Sequence, residues 1–458
     1  MKLNYKRTIL VGFAFFLISA FWQAYDAIIP LILSNHFGLP EVASGAIMSI
    51  DNVLAVFLLP VFGAISDKMN SRLGKRTPFI IIGTVIATVS FVALTFVDNY
   101  QIAKLSAVVA EGAENEEIAK AALEITMKNP WALIGFIATL LVVLLAMATF
   151  RSPAVALMPD VTVKPLRSKG NAIINLMGTA GGISVLVLGM IFGTAKNPLM
   201  RYTGYVLAVV SIMLIGLVVF LLTVKEKAWA KDMEAETVRL GLDDAQEASS
   251  SEGRSLSKGE LKSLLLILAS VALWYIGYNS ITSKYSVYSS NILQFDFNLT
   301  LIIAQVAAII SYIPVGIVAS KVGRRKTILA GVAILASAFF AGNFITSKSP
   351  EFIMVPIFIL AGIGWATINV NSFPMVVELA KGGEVGKYTG YYYTASMAAQ
   401  IVAPILSGAL YDWLGMRLMF FSFGTFFVAL SFITMFFVRH GDSKPEKTGA
   451  LESLGADD

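Results

Sequence analysis

The sequence predicts an all-α membrane protein with twelve transmembrane helices in two pseudo-symmetric six-helix bundles. Its 458 residues are 56% hydrophobic and only 14% charged, a balance that no water-soluble protein of this length could carry on its surface. The apolar runs are long and lack the short alternating pattern of an outer-membrane barrel. A charged turn in the first half recurs in weaker form about 250 residues later, which indicates an internal repeat.

Each predicted span is an apolar run of about 20 residues or more, the length that a helix needs to cross the hydrocarbon core. The first run is too long for the apolar region of a signal peptide, so we expect it to remain as span 1. Spans 1 to 6 are predicted at 8–33, 42–65, 77–97, 131–158, 169–193 and 202–224. Spans 7 to 12 are predicted at 261–283, 299–320, 327–346, 352–377, 388–411 and 416–438.

The loop charges predict the orientation of these spans. With both termini in the cytoplasm, the inner side carries sixteen Lys and Arg residues, in the segments 2–7, 68–76, 164–169, 321–326 and 381–387. The outer side carries eight, in the segments 104–128 and 196–201 and at positions 284, 348 and 417. Because basic loops stay in the cytoplasm, we expect a multi-pass protein of the cell membrane with both termini inside.

Two hydrophilic segments divide the chain. Residues 225–260 are predicted to be a partly helical cytoplasmic linker between an amino-terminal bundle, 1–224, and a carboxy-terminal bundle, 261–438, which is followed by a cytoplasmic tail, 439–458. Residues 98–130 form an external insertion whose apolar spacing favours one or two amphipathic helices over the outer mouth. The simpler interpretation is that this insertion is a solvent-exposed segment without a function of its own.

The stretch from Gly63 to Pro78 combines one acid, several bases and two glycines between two apolar runs. A tight loop on the water side of the membrane is the favourable location for such a cluster. Its weaker copy runs from Gly316 to Thr327, with Ser320 at the position that corresponds to Asp67. Six plus six spans with these two turns and a middle linker are typical of the major facilitator arrangement.

The stretch 66–80 resembles the helix 2 to 3 signature of the animal and plant sucrose transporters, in the glycoside-pentoside-hexuronide:cation symporter group. The matching residues are Ser66-Asp67, Ser71-Arg72, Gly74-Lys75-Arg76 and Pro78-Phe79-Ile80, and the resemblance continues through Pro153, Pro159-Asp160 and Arg167 to Asn171. It implies a facilitator fold and cation-coupled sugar transport. The sodium site of melibiose-type members needs two acids before the span 2 proline, where this chain has Ala55 and Leu59.

Three ionised side chains fall deep inside predicted spans: Asp26, Asp51 and Arg151. A buried charge costs about 2.5–3.5 kcal/mol on insertion scales, so such residues are functional candidates. The helical rise places Asp26 and Asp51 about 10 and 14 Å below the outer helix ends, with Arg151 nearer the cytoplasm. We expect one aspartate to take up a proton while Arg151 pairs with the other. Structural ion pairs are the alternative.

Aromatic and amide side chains near mid-depth predict a sugar site, because sugars need a ring face for their C–H surface and polar partners for their hydroxyls. Each mid-span tryptophan has a polar residue four or five positions later, and three further residues could add hydrogen bonds. Lipid-facing or core aromatics are the alternative interpretation. The candidates are Trp22, Trp274, Trp365, Asn279, Asn369, Gln23, Tyr278 and Gln400.

The facilitator motif implies a cytoplasmic gate. In it Asp67, Arg72 and Arg76 would latch onto Asp160 or onto the second-half turn. Exposed ion pairs contribute only about 0–1 kcal/mol each, so such a latch can break in every cycle. In the second half we expect Arg324 and Arg325 to take part, with Glu378 mirroring Asp160. Alternatively, these basic residues only determine the orientation of the spans in the membrane.

The sequence therefore predicts a proton-coupled symporter for a disaccharide or other glycoside, working by alternating access in the lipid bilayer. The implied partners are a sugar and a proton. We expect no cofactor, no metal and no nucleic acid, and we expect a monomer. The chain has no cysteine, and no metal or nucleophile constellation is visible in the spans, which argues against an enzyme. Alternatives are a carrier or exporter of another small organic solute, or a non-transporting sensor.

Overall fold

The computed structural model describes residues 3–110, 113–240, 256–379 and 385–441, and the regular structure within these ranges is entirely helical. Twelve of the described helices are long and apolar enough to cross a membrane. The predicted all-α, twelve-span architecture is therefore confirmed. Residues 241–255 of the predicted linker and 442–458 of the predicted tail lie outside the described ranges.

The spans alternate in direction, so span 1 begins and span 12 ends on the same side. We call this side the terminal face and the opposite side the distal face. Spans 1 to 6 are Tyr5–His36, Glu41–Lys68, Thr77–Leu105, Trp131–Asp160, Lys169–Phe192 and Thr203–Thr223. Spans 7 to 12 are Lys258–Thr282, Phe297–Ala319, Arg324–Gly342, Glu351–Val377, Lys387–Leu414 and Met416–Phe436.

Local sequence signals account for several helix ends. Span 7 begins with a capping box, in which the Ser257 hydroxyl accepts from the Glu260 backbone N–H at 3.2 Å and the Glu260 carboxylate accepts from the Ser257 N–H at 2.9 Å. Span 3 begins with Pro78 in its first turn, where the missing N–H of proline has no cost. Span 1 ends in a wider π-helical turn, Ile32–His36.

The two halves repeat one packing scheme. In the first half the principal helix pairs are spans 3–4, 1–5, 2–4, 1–6 and 3–6. In the second half they are spans 9–10, 7–11, 8–10, 7–12 and 9–12, which are the same pairs six spans later. Each bundle therefore buries its apolar faces in the same order, as expected for an internal repeat.

The halves meet through spans 2 and 11 and through spans 5 and 8. Span 11 packs mainly on the distal part of span 2, Glu41–Met48, rather than on the terminal part, Ile50–Lys68. A Cβ at Gly45 would lie 2.1 Å from the carbonyl oxygen of Pro404 in span 11, so only glycine permits this approach. The halves are thus tightly closed at the distal face.

His36 was expected to lie outside the spans, but the helix of span 1 continues to it. Its ring is fully buried, with Nδ1 2.6 Å from a carboxylate oxygen of Asp98 and Nε2 3.0 Å from the Pro198 carbonyl oxygen. The expectation failed because the wider turn carries the helix one turn past the apolar run. Asp98, predicted at the start of the external insertion, lies within span 3.

In the described part of the predicted insertion, the helix Asn115–Lys128 follows the end of span 3, and we call it the external helix. It buries Ile118 and Ala122 against Leu105 at the end of span 3. The Thr126 hydroxyl donates to the Phe37 carbonyl oxygen at 3.0 Å, which fixes the helix to the end of span 1. This amphipathic helix thus covers the distal ends of spans 1 and 3.

Candidate functional site

A cavity of about 630 Å³ lies between the halves. Its walls come mainly from spans 1 and 5 of the first half and from spans 7, 8 and 10 of the second half. Small-molecule sites in proteins have volumes of roughly 300–1,000 Å³. The cavity therefore has the size of a small-molecule binding site and is built by both halves together.

Spans 1 and 4 supply the polar wall of the cavity. Trp22, Gln23 and Asp26 lie on the cavity side of span 1, and the Asp26 side chain is exposed to the cavity. Arg151 of span 4 holds its guanidinium carbon 5.5 Å from the centroid of the Trp22 ring, a cation–π arrangement. Nε1 of Trp22 is buried and has no hydrogen-bond partner among the described residues.

Asp51 stands behind this wall rather than on the cavity surface. It is close enough to interact electrostatically with both Asp26 and Arg151, and its carboxylate accepts from the Asn52 side chain at 2.8 Å. Among the described residues, no acid lies within 4.0 Å of the Arg151 guanidinium, so the expected direct ion pair is not formed here. The structure nevertheless brings Asp26, Asp51 and Arg151, the three intramembrane charges predicted from the sequence, close together.

The second half supplies an aromatic wall. Trp365 of span 10 stacks flat on Tyr278 of span 7, with ring centroids 3.6 Å apart and an interplanar angle of 6°. Tyr275 meets Trp365 edge to face at 5.3 Å. Both Trp365 and Tyr278 line the cavity, so two predicted residues combine into one rigid apolar surface.

A hydrogen bond between two glutamines joins the two walls near mid-depth. The side-chain amide of Gln305 in span 8 donates to the Gln23 oxygen at 2.7 Å. Asn175 of span 5 also lines the cavity, and its buried amide nitrogen has no partner. Sequence reasoning missed Gln305 and Asn175, although each is an amide inside an apolar run, which is the signal that could have identified them.

Four other predicted substrate residues do not line the cavity. Trp274 is completely buried in the core of the second half, and the Asn279 amide donates to the Tyr275 carbonyl oxygen at 2.8 Å. Asn369 and Gln400 lie outside the lining, and the Gln400 amide donates to the Ser396 carbonyl oxygen at 3.4 Å. The sequence predicts how far along a span each residue lies, but the direction of its side chain depends on packing between helices.

The predicted gate residues of the first half form a compact cluster at the terminal face. Nε of Arg76 donates to the Asp160 carboxylate at 2.7 Å, and the same guanidinium contacts Asp67 and the Ser66 hydroxyl. Burial disfavours the charged guanidinium, but hydrogen bonds and Coulomb attraction from Asp160 and Asp67 raise the pKa of Arg76 above its ordinary value. Arg72 is exposed and lies outside this cluster.

An unpredicted acid completes the same cluster. Glu226 begins the helix Glu226–Arg239, which we call the linker helix. Its carboxylate accepts from the backbone N–H groups of Lys75, Arg76 and Thr77 at 2.6, 2.9 and 2.8 Å, and from the Thr77 hydroxyl at 2.7 Å. It thus satisfies free N–H groups at the start of span 3. Gly74, at φ +125°, leaves the space that this carboxylate needs.

The corresponding turn in the second half has a simpler cluster. Arg324 forms an ion pair with Glu378 at the end of span 10, and Arg325 donates to the carbonyl oxygens of Met435 and Phe436 at the end of span 12. The side chain of Ser320 lies outside the described part of the chain. The pairs of Arg76 and of Arg324 therefore each stay within one half.

The distal face carries ionic contacts between the halves that sequence reasoning did not anticipate. Lys284, which follows span 7, donates to the Glu41 carboxylate at the start of span 2 at 2.6 Å. Asp412 of span 11 accepts from the backbone N–H groups of Glu41 and Val42 at 2.7 and 2.8 Å. Asn35 and Asn291 add an amide pair, with the shorter hydrogen bond at 2.6 Å.

This pseudo-symmetric architecture agrees with a family comparison. The family model of the Major Facilitator Superfamily matches residues 11–313 and 294–456. The chain belongs to the major facilitator superfamily. Among curated proteins, this facilitator is 30% identical over 116 residues to the MFS-type transporter ppzB of Metarhizium rileyi (strain RCEF 4871), an alignment that covers 25% of this chain and 23% of that protein.

Solved structures give the same fold over nearly the whole facilitator. The inward-open xylose transporter XylE from E. coli is 14% identical with a TM-score of 0.66, covering 98% of this chain and 99% of that one. A D-xylose–proton symporter, 13% identical, has a TM-score of 0.64 and coverages of 96% and 99%. A POT family transporter in complex with 5-aminolevulinic acid, 12% identical, also has a TM-score of 0.64, with coverages of 94% and 95%. At these identities the likeness establishes the fold alone.

The chemistry available in the cavity is recognition and proton exchange. An aromatic surface, amide side chains, one carboxylate and one guanidinium line the same space, whose walls come from both bundles. Within the described ranges no group of three or more His, Asp or Glu side chains is placed to hold a metal ion. This facilitator is thus a multi-pass membrane protein with a cavity of small-molecule size between its halves.

Proposed function

We propose that this facilitator is a proton-coupled symporter for a sugar of the disaccharide or glycoside class, working by alternating access in the cell membrane as a monomer. One observation carries the proposal: the Asp26 carboxylate opens into a cavity whose opposite wall is the stacked pair of Trp365 and Tyr278. An acid at this depth can bind a proton, and a flat aromatic face can hold a sugar ring.

In this proposal the sugar lies between the two walls. Its C–H face packs on Trp365. Its hydroxyl groups bond to Gln23 and Gln305, two lining amides that are hydrogen-bonded to each other across the halves. The substrate would replace this direct amide pair. Binding energy would thus be available from both bundles at once, which is what couples occupancy to their relative movement.

Asp26, Asp51 and Arg151 would carry the proton coupling. Two acids and one base make a group that is neutral when one proton is bound, so the protonated state is the favourable one for crossing the low-dielectric interior. Asp26 is the acid on the cavity surface and is proposed as the proton carrier. Asp51 remains ionised opposite Arg151 behind the wall.

The terminal face is proposed to be cytoplasmic, from the excess of basic residues in its loops. The structure would then be inward-facing, because span 11 packs mainly on the distal part of span 2. In this state the Arg76 and Arg324 clusters each stay within one half. We propose that they act as parts of the cytoplasmic gate that become available to the opposite half when the protein faces outward.

Purified protein in liposomes tests the function. On addition of disaccharides and glycosides from a panel, we expect proton influx and sugar accumulation with the wild-type chain, both abolished by a protonophore. Asp26→Asn should abolish accumulation against a gradient but keep sugar exchange, because the neutral amide mimics the protonated acid. Glu117→Gln, at an exposed acid of the external helix, is the control that should keep proton-coupled sugar entry. Unchanged accumulation in Asp26→Asn would refute the proposed carrier.

Transport of a charged organic solute is the second candidate function. The observation that favours it is the Arg151 guanidinium, which lies in the cavity without an acid within 4.0 Å among the described residues. A solute with a carboxylate could supply the missing partner. Uptake of carboxylate-bearing solutes, with no response to neutral sugars, would favour this candidate over the first.

A further inference from the structure

The distal contact between the halves is built around a lysine that is completely removed from solvent. The Lys284 side chain is 0% exposed, and its partner Glu41 is 14% exposed. The Lys284 ammonium group donates to one Glu41 oxygen at 2.6 Å, and the Ser34 hydroxyl contacts the other oxygen at 3.3 Å. A buried charge of this kind persists only when it is paired, so the two residues depend on each other.

The same glutamate belongs to a second contact with the opposite half. Asp412 accepts from the backbone N–H groups of Glu41 and Val42, which are the first residues of span 2. These N–H groups have no partner within their own helix, and the helix dipole favours a carboxylate at this end. Asp412 therefore acts as a cap for span 2 that is supplied by the other half of the protein.

We infer that Glu41, Lys284 and Asp412 form the extracellular gate, and that their separation is the step that lets the cavity open to the outside. The inference deepens the alternating-access function proposed above and rests on it. When the halves separate at the distal face, Lys284 and Glu41 gain water, and the start of span 2 loses its cap. The closed distal face is therefore held by contacts that hydration can replace, as a gate that opens in each cycle requires.

The ion pairs at the two faces differ in the residues that they join. Lys284 and Glu41 belong to different halves, whereas the Arg76 and Arg324 pairs at the terminal face each connect residues of a single half. Removing one partner of a buried pair leaves the other uncompensated, which penalises the closed distal face but not an open and hydrated one. Neutralising Lys284 should therefore move the population toward outward-facing molecules.

Cysteine accessibility measures this population directly, because the chain has no native cysteine. Ser286→Cys is a suitable reporter: Ser286 lines the cavity, is 3% exposed, and lies on the distal side, where its hydroxyl contacts the Asp26 carbonyl oxygen at 3.4 Å. A membrane-impermeant maleimide is applied to the distal side, identified as the side from which a carboxy-terminal tag is protected. With the gate intact we expect slow labelling.

Lys284→Met in this background should raise the labelling rate about tenfold or more, because Glu41 is then left unpaired in the closed state. Asp412→Ala should raise it independently by removing the cap. The charge-exchanged double variant, Glu41→Lys with Lys284→Glu, should label more slowly than Lys284→Met alone. Lys348→Met removes an exposed lysine on the same face and should leave the rate unchanged.

Parent-like labelling in both Lys284→Met and Asp412→Ala would overturn the inference, provided that tag protection and monodisperse elution show a folded protein. An equal rise in Lys348→Met would also overturn it, since surface charge alone would then explain the effect. If Lys284→Met does not fold, Asp412→Ala and Glu41→Gln decide the question. Labelling needs neither sugar nor proton gradient, so its outcome is separate from that of the sugar and proton assays.

Discussion

At the residue scale, two tryptophans at similar positions along their spans have different roles, one on the cavity wall and one in the core. Trp365 lines the cavity and is stacked on Tyr278. Trp274 is 0% exposed and is surrounded by the core of the second half. A ring on the wall can bind substrate because its partner holds it in one orientation, whereas a ring in the core contributes to stability through the apolar area that it buries.

Replacing each tryptophan by alanine should separate these roles. Trp365→Ala is expected to raise the KM for the transported sugar about two- to tenfold, since an aromatic contact contributes about 0.5–1.5 kcal/mol. Trp274→Ala should lower the melting temperature of the purified protein, because truncating a buried tryptophan costs about 3–5 kcal/mol. Sugar uptake by liposomes and thermal unfolding of both variants check this. A lower melting temperature for Trp365→Ala with unchanged KM would contradict the assignment.

At the scale of elements, the linker helix packs on the first half. Glu226 connects it to the start of span 3, and Asp232 forms an ion pair with Arg7 of span 1 at 2.8 Å. The Arg7 guanidinium also lies 5.2 Å from the centroid of the Trp229 ring. These contacts attach the linker helix to the first half, so under the proposed alternating access we expect it to move with that half.

Glu226→Ala should destabilise the first half. The substitution leaves the N–H groups of Lys75, Arg76 and Thr77 without their acceptor, the last two in buried residues, and each hydrogen bond to a charged group contributes about 1.5–3 kcal/mol. We expect a lower melting temperature in detergent. Glu234→Ala, on the exposed face of the same helix, is the matched control and should melt like the parent. Equal melting of both variants would show that the cap does not stabilise the fold.

At the scale of the whole molecule, the two halves are helix bundles that meet through spans 2 and 11 and through spans 5 and 8, with several polar contacts at the distal face. The pairs of helices that pack together in the first half recur six spans later in the second half, so the same helix contacts stabilise each bundle. The distal contacts include Asn35 with Asn291 and the Ser49 hydroxyl, which donates to the Ile401 carbonyl oxygen at 2.9 Å. Transport should therefore require these distal contacts to break while each bundle remains intact.

Cross-linking between the halves tests this requirement. Asn35→Cys with Asn291→Cys, joined by a short bifunctional thiol reagent, should abolish sugar uptake, and a reducible reagent should allow its recovery on reduction. Ser263→Cys with His440→Cys is the control, because these side chains lie 2.9 Å apart within the second half. Uptake that survives the first cross-link would argue against separation of the distal contacts, and uptake that is lost with the second would point to general damage.

Much of the fold could be read from the sequence, and part of the site. Apolar runs determined twelve spans, and the repeated turn indicated two halves, because a helix must satisfy its backbone and bury an apolar length whatever surrounds it. The same reasoning identified Asp26, Arg151, Trp22 and Trp365 as unusual at their depth. It did not identify Gln305, since a single amide in a span is a weaker signal than a charge.

The tertiary structure decided which of these residues meet. Trp274 and Tyr278 are one helical turn apart, yet only Tyr278 reaches the cavity, because neighbouring helices determine which side of span 7 is covered. Lys284 and Glu41 are 243 residues apart and pair only because both bundles place them at the same distal edge. Depth along a helix follows from the local sequence, but rotation about its axis and partners across the molecule depend on packing between distant segments.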